Sequence, residues 1–427
     1  MAGLSHDQSV IDRFNIFLAA TEADGTLADM KKRWFSDALD LDAPIPAIPN
    51  TGENGVISVA ICSDSIPYVY MGANGRYSGF SVELALRFGA YEGKTVEFTD
   101  MEFGGLIPYI VSEKADIALA NMAITEERRQ SVLFTEPFFD EQHGILALKQ
   151  GGDVAVAAGS GFVEWLKTGI ERNLITDNRW KMIVNGLGVT MTIAVLAQLF
   201  GTAFGCFVCW LLTRKNRFIK WIGSFYCGLI HGTPIVVLLM ITYYIIFGST
   251  NISNVLIAVA AFTMVTGAGV AQNLKGAIDT IDPVEIEAAR SIGFPAFKAF
   301  LTVTLPQAVK RALPGYTNGF VELVKATAIV GYIAIQDLTR AGDIIRSRTY
   351  DAYFPLLFVA VIYLIVTTVC VQLFKFIVKK INGETDSTRR QRRAGGRTAL
   401  DYRTLRTKTG GDLITESISE VKKGYGQ

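Results

Sequence analysis

Two ionisable side chains lie within an apolar stretch of the sequence, residues 315–335. Glu322 and Lys325 are three residues apart, so a helix would place them on the same face. Charged groups inside a membrane are costly and usually face a transport path or each other. We expect this pair to line a path through the membrane. A mutually neutralising structural pair and a position near the membrane surface are the alternatives.

A third polar candidate lies in an earlier apolar stretch. His231 is followed directly by Gly232, Thr233 and Pro234. Glycine and proline inside a span interrupt backbone hydrogen bonding and usually mark a kink or the wall of a cavity. His231 is therefore a second candidate for the path, and a structural role for its imidazole agrees equally well with the sequence.

The sequence contains no group of residues typical of an enzyme. It has no glycine-rich loop ending in Lys followed by Ser or Thr, the pattern that holds nucleotide phosphates. Cys206 and Cys209 have the spacing of a metal or redox motif, but they lie in an apolar run without a second pair. We predict no catalytic residue, no metal site and no cofactor on this chain.

A polar loop between two apolar stretches, residues 283–306, has the features of a docking element. Asp282 and Pro283 predict the start of a short helix. Gly293 predicts its end, because glycine adopts a left-handed conformation at little cost. A second helix with an apolar face should follow. A short helix that projects from a membrane domain is suited to a groove on a partner.

This loop resembles the coupling loop of ABC-importer permeases. The matching positions are Glu287, Ala288, Ala289, Gly293, Leu305 and Pro306. The resemblance implies that a separate ATP-binding-cassette subunit docks here and hydrolyses ATP with Mg²⁺. Such a chain supplies half of a transport path, so we expect a second permease subunit. A second copy of this chain is the simplest choice, and a related protein is the alternative.

Residues 55–150 alternate predicted strands and helices, which is typical of a parallel, doubly wound sheet. They resemble the first lobe of periplasmic amino-acid-binding proteins, the solute-binding family 3. The matching phrases include YSGFSVEL (Tyr77–Leu84), KADIA (Lys114–Ala118) and FTEPF (Phe134–Phe138). The resemblance implies an extracytoplasmic domain that binds an amino acid.

The same resemblance implies a set of ligand-binding residues. Arg128 falls where an arginine clamps the ligand's α-carboxylate, a bidentate task that suits a guanidinium. Asn121 and Ala123 fall where small polar side chains or backbone groups bind the ligand, and Tyr68 falls at or near an aromatic wall. Structural roles are the alternatives for Arg128, Asn121 and Tyr68.

The lobe differs from a complete binding protein in two respects. Cys62 and Ser65 replace the acidic and aromatic residues that are frequent at these positions in the family. A second lobe of about 100 residues does not follow, since residues 151–182 predict a linker and an amphipathic interfacial helix. The lobe could pair with another chain, serve as a platform for a soluble binding protein, or be a remnant.

The N-terminal region is predicted to be helical. Residues 1–42 have apolar side chains at helical spacing and resemble the C-terminal end of an amino-acid-binding protein. Residues 43–54, rich in Pro, Gly and Asn, predict a linker. The helices could close the lobe in permuted order or be the tail of an earlier binding domain. Because no signal peptide opens the chain, we expect the natural gene to begin upstream of Met1.

The composition indicates a membrane protein. The chain has 427 residues, 50% of them hydrophobic, and a mean hydropathy of +0.31. Its net charge of +1 implies no nucleic-acid partner. A permease domain is predicted at residues 183–382, followed by a disordered basic tail at 383–427. Within the permease domain, five stretches are long enough to span a membrane: residues 183–212, 221–247, 255–270, 315–335 and 353–378.

Lysines and arginines in short loops set the predicted orientation. The cluster after the first span, residues 214–220, and the basic residues at 379–393 place the docking loop and the tail inside the cell. The N-terminal region is then outside. Arg340, Arg346 and Arg348 fall in an outside loop and are an exception to this rule.

Together these patterns predict a multi-pass permease subunit of the bacterial inner membrane. We expect an all-α membrane domain of about five helices, preceded by a partial α/β binding-protein lobe, and polar amino acids as cargo. The expected partners are an ATPase subunit, a second permease, an amino-acid ligand and the lipid bilayer, with a soluble binding protein as an optional partner. The alternatives are a non-transporting amino-acid sensor and a ligand-gated receptor-like membrane protein.

Overall fold

A computed structural model of the protein describes residues 2–36, 41, 44–50, 52–72, 75–139, 162–248, 250, 252–349, 351 and 353–382. Residues 140–161, which include the end of the predicted lobe and the first part of the predicted 151–182 linker, lie outside the described residues. So does the whole predicted tail at 383–427. The chain forms two units, Met1–Thr368 and Val369–Gln427. The described part of the second unit is the end of one long helix.

An α/β lobe occupies residues 2–139. Its elements are β1 (Leu4–Ser5), α1 (Gln8–Ala23), α2 (Thr26–Trp34), β2 (Val56–Ile61), β3 (Asp64–Ser65), β4 (Val69–Met71), β5 (Tyr77–Ser78), α3 (Phe80–Glu92), β6 (Thr95–Asp100), α4 (Leu106–Val111), β7 (Ile117–Ala118), α5 (Glu126–Arg129) and β8 (Leu133–Phe134).

A five-stranded sheet in the order β6–β2–β7–β1–β8 forms the centre of the lobe. β2 is parallel to β6 along its whole length, with Val56 opposite Thr95 and Ile61 opposite Asp100, and it is parallel to β7 on its other side. The parallel arrangement expected for this region is therefore present. β1 adds an antiparallel strand between β7 and β8, which the helical prediction for residues 1–42 missed because two residues show no periodicity.

The N-terminal segment packs into the same lobe. Phe14 of α1 lies edge-on against Phe88 of α3, with ring centres 4.8 Å apart. Trp34 of α2 donates a 2.7 Å hydrogen bond from Nε1 to Glu83, and Arg33 donates to the same carboxylate at 2.7 Å. Residues 4–34 thus pack onto the lobe that residues 56–134 form. This agrees with the alternative in which the N-terminal helices close the lobe in permuted order.

The membrane domain begins after residue 161 and is entirely helical in its described part. Its helices are α6 (Phe162–Ile170), α7 (Trp180–Leu212), α8 (Arg217–Gly232), α9 (Ile235–Met240), α10 (Asn254–Asp279), α11 (Pro283–Ser291), α12 (Ala296–Ala299), α13 (Leu305–Ala326), α14 (Leu338–Thr349) and α15 (Phe354–Asn382), with shorter π and 3₁₀ segments at Glu171–Ile175, Thr176–Asn178, Ile241–Ile246, Phe300–Thr304 and Thr327–Ile333.

Three of these helices, α7, α10 and α15, are long and apolar enough to cross a membrane by themselves. Two bent pairs also qualify: α8 with the segment Ile235–Ile246, bent by 109°, and Ala296–Ile333 with α14, bent by 57°. The described chain therefore has three candidate spans, or up to five if each bent pair is one span. The prediction of about five spans agrees with the larger count, and α10 is longer than the 255–270 stretch that predicted it.

Close contacts between α7 and α10 hold the membrane domain together. A Cβ atom on Gly205 would lie 2.7 Å from Val270, so the absence of a side chain there lets the helices approach. Polar bonds add to this packing. Thr202 and Tyr316 share a 2.8 Å hydrogen bond, and Asn273 donates to the Ala312 carbonyl at 2.8 Å. These contacts place α7, α10 and α13 around a common interior.

Replacing Glu83 with Gln should weaken the attachment of α2 to the lobe. The amide keeps the size of the side chain but removes the charge that Arg33 and Arg87 bind. Hydrogen bonds to charged groups contribute about 2 kcal/mol, so we expect amide hydrogen exchange in α2 to become about 30-fold faster. Glu126→Gln is the matched control, because Glu126 is exposed. Equal acceleration in both variants would contradict this account.

The same contact should depend on pH. Burial alone would raise the pKa of Glu83, but the hydrogen bonds from Arg33, Arg87 and Trp34 outweigh it and bring the pKa below its usual value of 4.5. Its stabilisation is therefore complete above the usual pKa and is lost as the pH falls through the lowered one. The rate of pepsin cleavage within α2 should be compared between wild type and Glu83→Gln from about pH 3 to 6. We expect the two rates to differ only at the upper end of this pH range.

Candidate functional site

A cavity of about 460 Å³ lies among the membrane helices. Residues of α7, α8, α9, α10 and α13 line it, and its polar side chains come from Gln198, His231, Thr266, Asn273, Tyr316, Asn318 and Glu322. Two of the predicted path residues, His231 and Glu322, therefore face one space. Lys325, the third, is not among the lining residues.

Local sequence explains how these side chains reach the cavity. α8 ends at Gly232, and the chain turns before α9 begins after Pro234, which leaves His231 in the last turn of α8. Its Nδ1 lies 2.9 Å from the Cys227 carbonyl, which fixes the ring. On the opposite wall, a Cβ atom on Gly315 would lie 2.4 Å from Asn273, so glycine is required for α13 to approach α10.

The cavity has the chemistry to hold a small polar solute. Glu322 provides a carboxylate, His231 an imidazole, and Gln198, Asn273 and Asn318 provide amides that donate and accept hydrogen bonds. The volume is within the range of small-molecule sites. Glu322 and Lys325 are both exposed, and among the described side chains no ion pair joins them.

The docking loop has the local structure that its sequence predicts. The Asp282 carboxylate accepts a 2.9 Å hydrogen bond from the Val284 amide, and α11 begins at Pro283. Gly293 follows the end of α11 with a φ of +96°, in the left-handed region. The Phe294 amide then donates to the Ala289 carbonyl at 3.2 Å, which closes the turn.

The outer face of this loop is apolar and exposed. Ile292 is 77% exposed and Phe297 is 74% exposed, on either side of Gly293. Ala289, by contrast, is buried, and so is Ala308 at the base of the loop. Of the motif positions, Glu287, Ala288 and Pro306 are exposed and Leu305 is half-buried. The loop thus presents a compact surface with two prominent apolar side chains.

The predicted ligand residues of the lobe occupy different environments. Arg128 donates from Nη1 to the Ala123 carbonyl at 2.8 Å, and its guanidinium lies 5.8 Å from the centre of the Phe103 ring. Asn121 is half-buried just after β7. Tyr68 is only 6% exposed and its ring lies 5.2 Å from that of Phe35 in the lobe core. Arg128 and Ala123 are in contact with each other, and Tyr68 packs in the lobe core.

A buried guanidinium joins the lobe to the membrane domain. Arg340 of α14 is 2% exposed, and its Nη2 donates to Asp100 at 2.9 Å and to the Met101 carbonyl at 3.2 Å. Its Nη1 lies 3.8 Å from the Asp64 carboxylate and 3.7 Å from that of Glu102. The loop predicted at this position is therefore a helix that packs against the lobe.

Further contacts surround this ion pair. The Glu102 amide donates to the Gly331 carbonyl at 3.1 Å. Arg348 donates to the Met71 carbonyl at 2.8 Å, and the Tyr244 hydroxyl donates to the Gly105 carbonyl at 3.2 Å. These bonds come from three separate parts of the membrane domain, so the lobe is held along a surface rather than at one point.

Burial at this surface changes the ionisation of lobe residues. Burial raises the pKa of Glu102, and the neighbouring Arg340 opposes that effect. Burial also raises the pKa of the Cys62 thiol, which keeps it protonated. The surface thus contains a poorly solvated acid and a neutral thiol beside one cation.

The sequence did not identify Arg340, Asp100 or Glu102 as site residues. The available signal was the excess of arginine in a loop predicted to lie outside the cell. Arg340 and Arg348 contact the lobe, and Arg346 pairs with Asp343 at 2.9 Å. These arginines are thus bound by carboxylates and carbonyls of the lobe and of α14, and they remain an exception to the charge rule.

Comparisons with known proteins support both parts of the chain. The family model of bacterial extracellular solute-binding proteins, family 3, matches residues 57–312. A putative glutamine transport system permease protein, GlnP, of Rickettsia conorii is 32% identical over 204 residues, which cover 47% of this chain and 92% of that protein. The arginine transport system permease protein ArtQ of Bacillus subtilis is 30% identical over 204 residues, which cover 47% of this chain and 92% of that protein.

A solved structure is also similar to this chain. It is described as the crystal structure of an amino acid ABC transporter with histidines. The sequence identity is 33% and the TM-score is 0.44. The match covers 47% of this chain and 94% of the chain in that structure.

Proposed function

This chain belongs to the amino-acid permeases of ABC transporters and carries a family 3 solute-binding domain, and from this we infer that it moves a polar amino acid across the bacterial inner membrane. The observation that carries the inference is the polar cavity among the membrane helices, lined by His231 and Glu322. A carboxylate, an imidazole and several amides can together bind the charged ends and polar side chain of an amino acid.

The docking loop supports an ATPase partner. Its exposed apolar side chains, Ile292 and Phe297, flank a fixed left-handed turn at Gly293. A short helix with such a face fits a groove on another protein. In this proposal the separate ATPase subunit binds ATP and Mg²⁺, and its closure moves the loop, which shifts the membrane helices around the cavity.

The proposed orientation places the docking loop in the cytosol and the lobe outside. Basic residues near the first span and in the tail favour this orientation. The arginines of α14 are an exception to this rule, and Arg340 has a specific partner in Asp100 of the lobe. A second permease subunit, most simply a second copy of this chain, completes the path.

We propose that Arg128, Ala123 and Asn121 form part of a ligand site on the lobe. Arg128 and Ala123 are adjacent and lie near Phe103, so they could contact the carboxylate of a ligand. Asn121 lies on the same stretch of chain after β7. A soluble binding protein could supply the missing second lobe. Neither a non-transporting sensor nor a ligand-gated receptor is favoured by a particular contact of the described residues.

Replacing Gly319 with Leu should block transport. Gly319 lines the cavity, and a Cβ atom placed on it meets no other atom within 4 Å, so the new side chain extends into open space. We expect uptake of radiolabelled glutamine and arginine into ATPase-containing proteoliposomes to fall about tenfold or more, because the leucine side chain occupies the space that the solute needs. A tenfold change corresponds to about 1.4 kcal/mol.

The control for this variant is Gly188→Leu. Gly188 also has open space at its Cβ position, but it is on α7 outside the cavity lining. Uptake should be nearly unchanged in the control. Normal uptake by the Gly319 variant would show that the cavity is not the path.

Replacing Ile292 with Asp should release the ATPase. The side chain is exposed and apolar, so aspartate leaves the permease folded but removes an anchor from the docking surface. We expect co-purification of the ATPase from native membranes to fall about tenfold or more. Ile16→Asp is the control, because Ile16 is 60% exposed on α1 of the lobe. Undiminished ATPase recovery with the Ile292 variant would refute this surface.

A further inference from the structure

We propose that the turn between α7 and α8 binds the phosphate of an anionic phospholipid in the surrounding bilayer. The proposed site, here called the basic turn, consists of Arg214, Lys215, Arg217 and Lys220. This inference goes beyond the proposed function, because it assigns the chain a specific class of lipid and does not depend on the cargo or on the ATPase.

The fold places the basic turn at a membrane surface. α7 is one of the helices that are long and apolar enough to cross a membrane by themselves, and it ends at Leu212. α8 begins at Arg217, so the four basic side chains lie at the end of a span, and all four are exposed. The Asn216 side chain accepts a 2.9 Å hydrogen bond from the Phe218 amide, which fixes where α8 begins.

The positive charge of the basic turn has no counterion within the described part of the chain. No Asp or Glu occurs in the sequence between Asp177 and Asp279. Asp279 ends α10, which packs against α7 and α8, and it pairs with Lys275 of its own helix. Among the described residues, none of the four cations forms an ion pair with a carboxylate. An anion that compensates this charge must therefore come from outside the chain.

The dipole of α8 adds to the need for an anion. The N-terminal end of a helix carries a partial positive charge from its free amide groups, so acidic residues are favoured there. α8 has no acidic residue in its first turn and has Arg217 and Lys220 among its first four residues instead. The helix end repels both cations. An anion placed there is attracted by the cations and by the helix end together.

Exposed aromatic side chains favour a lipid as the source of this anion. Phe218, Trp221 and Phe225 stack along one side of α8, with ring centres 6.1 and 5.4 Å apart, and all three are exposed. Trp210 is exposed on α7, and the Arg214 guanidinium lies 3.9 Å from its ring centre. Exposed tryptophans near the end of a span lie at the depth of the lipid headgroups. The cations beside them are therefore at the level of the phospholipid phosphates.

The first test measures hydrogen exchange at the start of α8, with the full wild-type chain in nanodiscs and without ATPase. The Lys220 amide reports on this turn, because it donates to the Asn216 carbonyl at 3.0 Å. Its exchange should be about tenfold slower in nanodiscs that contain phosphatidylglycerol than in nanodiscs of phosphatidylcholine alone. Inorganic phosphate added to the phosphatidylcholine nanodiscs should not reproduce this protection. The comparison uses one protein and does not depend on the folding of a variant.

A variant without two of the cations should reverse its order relative to wild type between the two lipids. Arg217→Gln combined with Lys220→Gln removes the repulsion at the helix end, so in phosphatidylcholine its α8 should exchange no faster than that of wild type. In phosphatidylglycerol the variant loses the lipid contact and should exchange about three times as fast as wild type, or faster. The matched control is Arg290→Gln combined with Lys298→Gln, which removes one arginine and one lysine from exposed positions of the docking loop. It should resemble wild type in both lipids.

Three results would overturn the proposal. They are equal exchange of wild-type α8 in the two lipids, equal protection by inorganic phosphate in phosphatidylcholine, and an equal loss of protection in the docking-loop control. The first would mean that the basic turn binds no anionic lipid, and the second that its anion comes from solution. The third would mean that net charge, and not the basic turn, determines the protection.

Discussion

The interaction between Arg340 and Asp100 determines how the two parts of this protein are joined. A buried guanidinium needs a carboxylate, because an unpaired charge away from water is strongly destabilising. Asp100 meets that need from the lobe, and backbone bonds at Met71, Glu102 and Gly105 extend the contact. The lobe is thereby fixed to the membrane domain, with the carboxyl end of β6 turned toward α14.

The membrane domain depends on a different constraint, the close approach of α10 to α7 and α13. Gly205 and Gly315 permit this approach, and the polar pair Thr202 and Tyr316 reinforces it. The approach leaves a polar cavity beside the kink at Pro234. The docking loop leaves the same bundle at the end of α10. In the proposed function, a movement of the loop therefore acts on helices that line the cavity.

Much of this architecture could be predicted from the sequence. The caps at Asp282 and Gly293 depend on local backbone preferences, which a short stretch of sequence reveals, and His231 is marked by the adjacent Gly and Pro. Arg340 could not be placed, because its partners are more than 200 residues away in the chain. Tyr68 lies in the lobe core, and the sequence left both a ligand contact and a packing role open for it, since an aromatic side chain has the same sequence signal in both roles.

The most direct test of the docked arrangement is a disulfide between Glu102→Cys and Gly331→Cys, in a Cys62→Ser background. A Cβ atom on Gly331 would lie 3.0 Å from Cγ of Glu102, the position that a cysteine sulfur would take. We predict rapid cross-linking on mild oxidation of native membranes. A control pair, Tyr91→Cys with Gly331→Cys, should not react, because Tyr91 is exposed on α3. Cross-linking no faster than in the control would contradict a lobe docked on the permease.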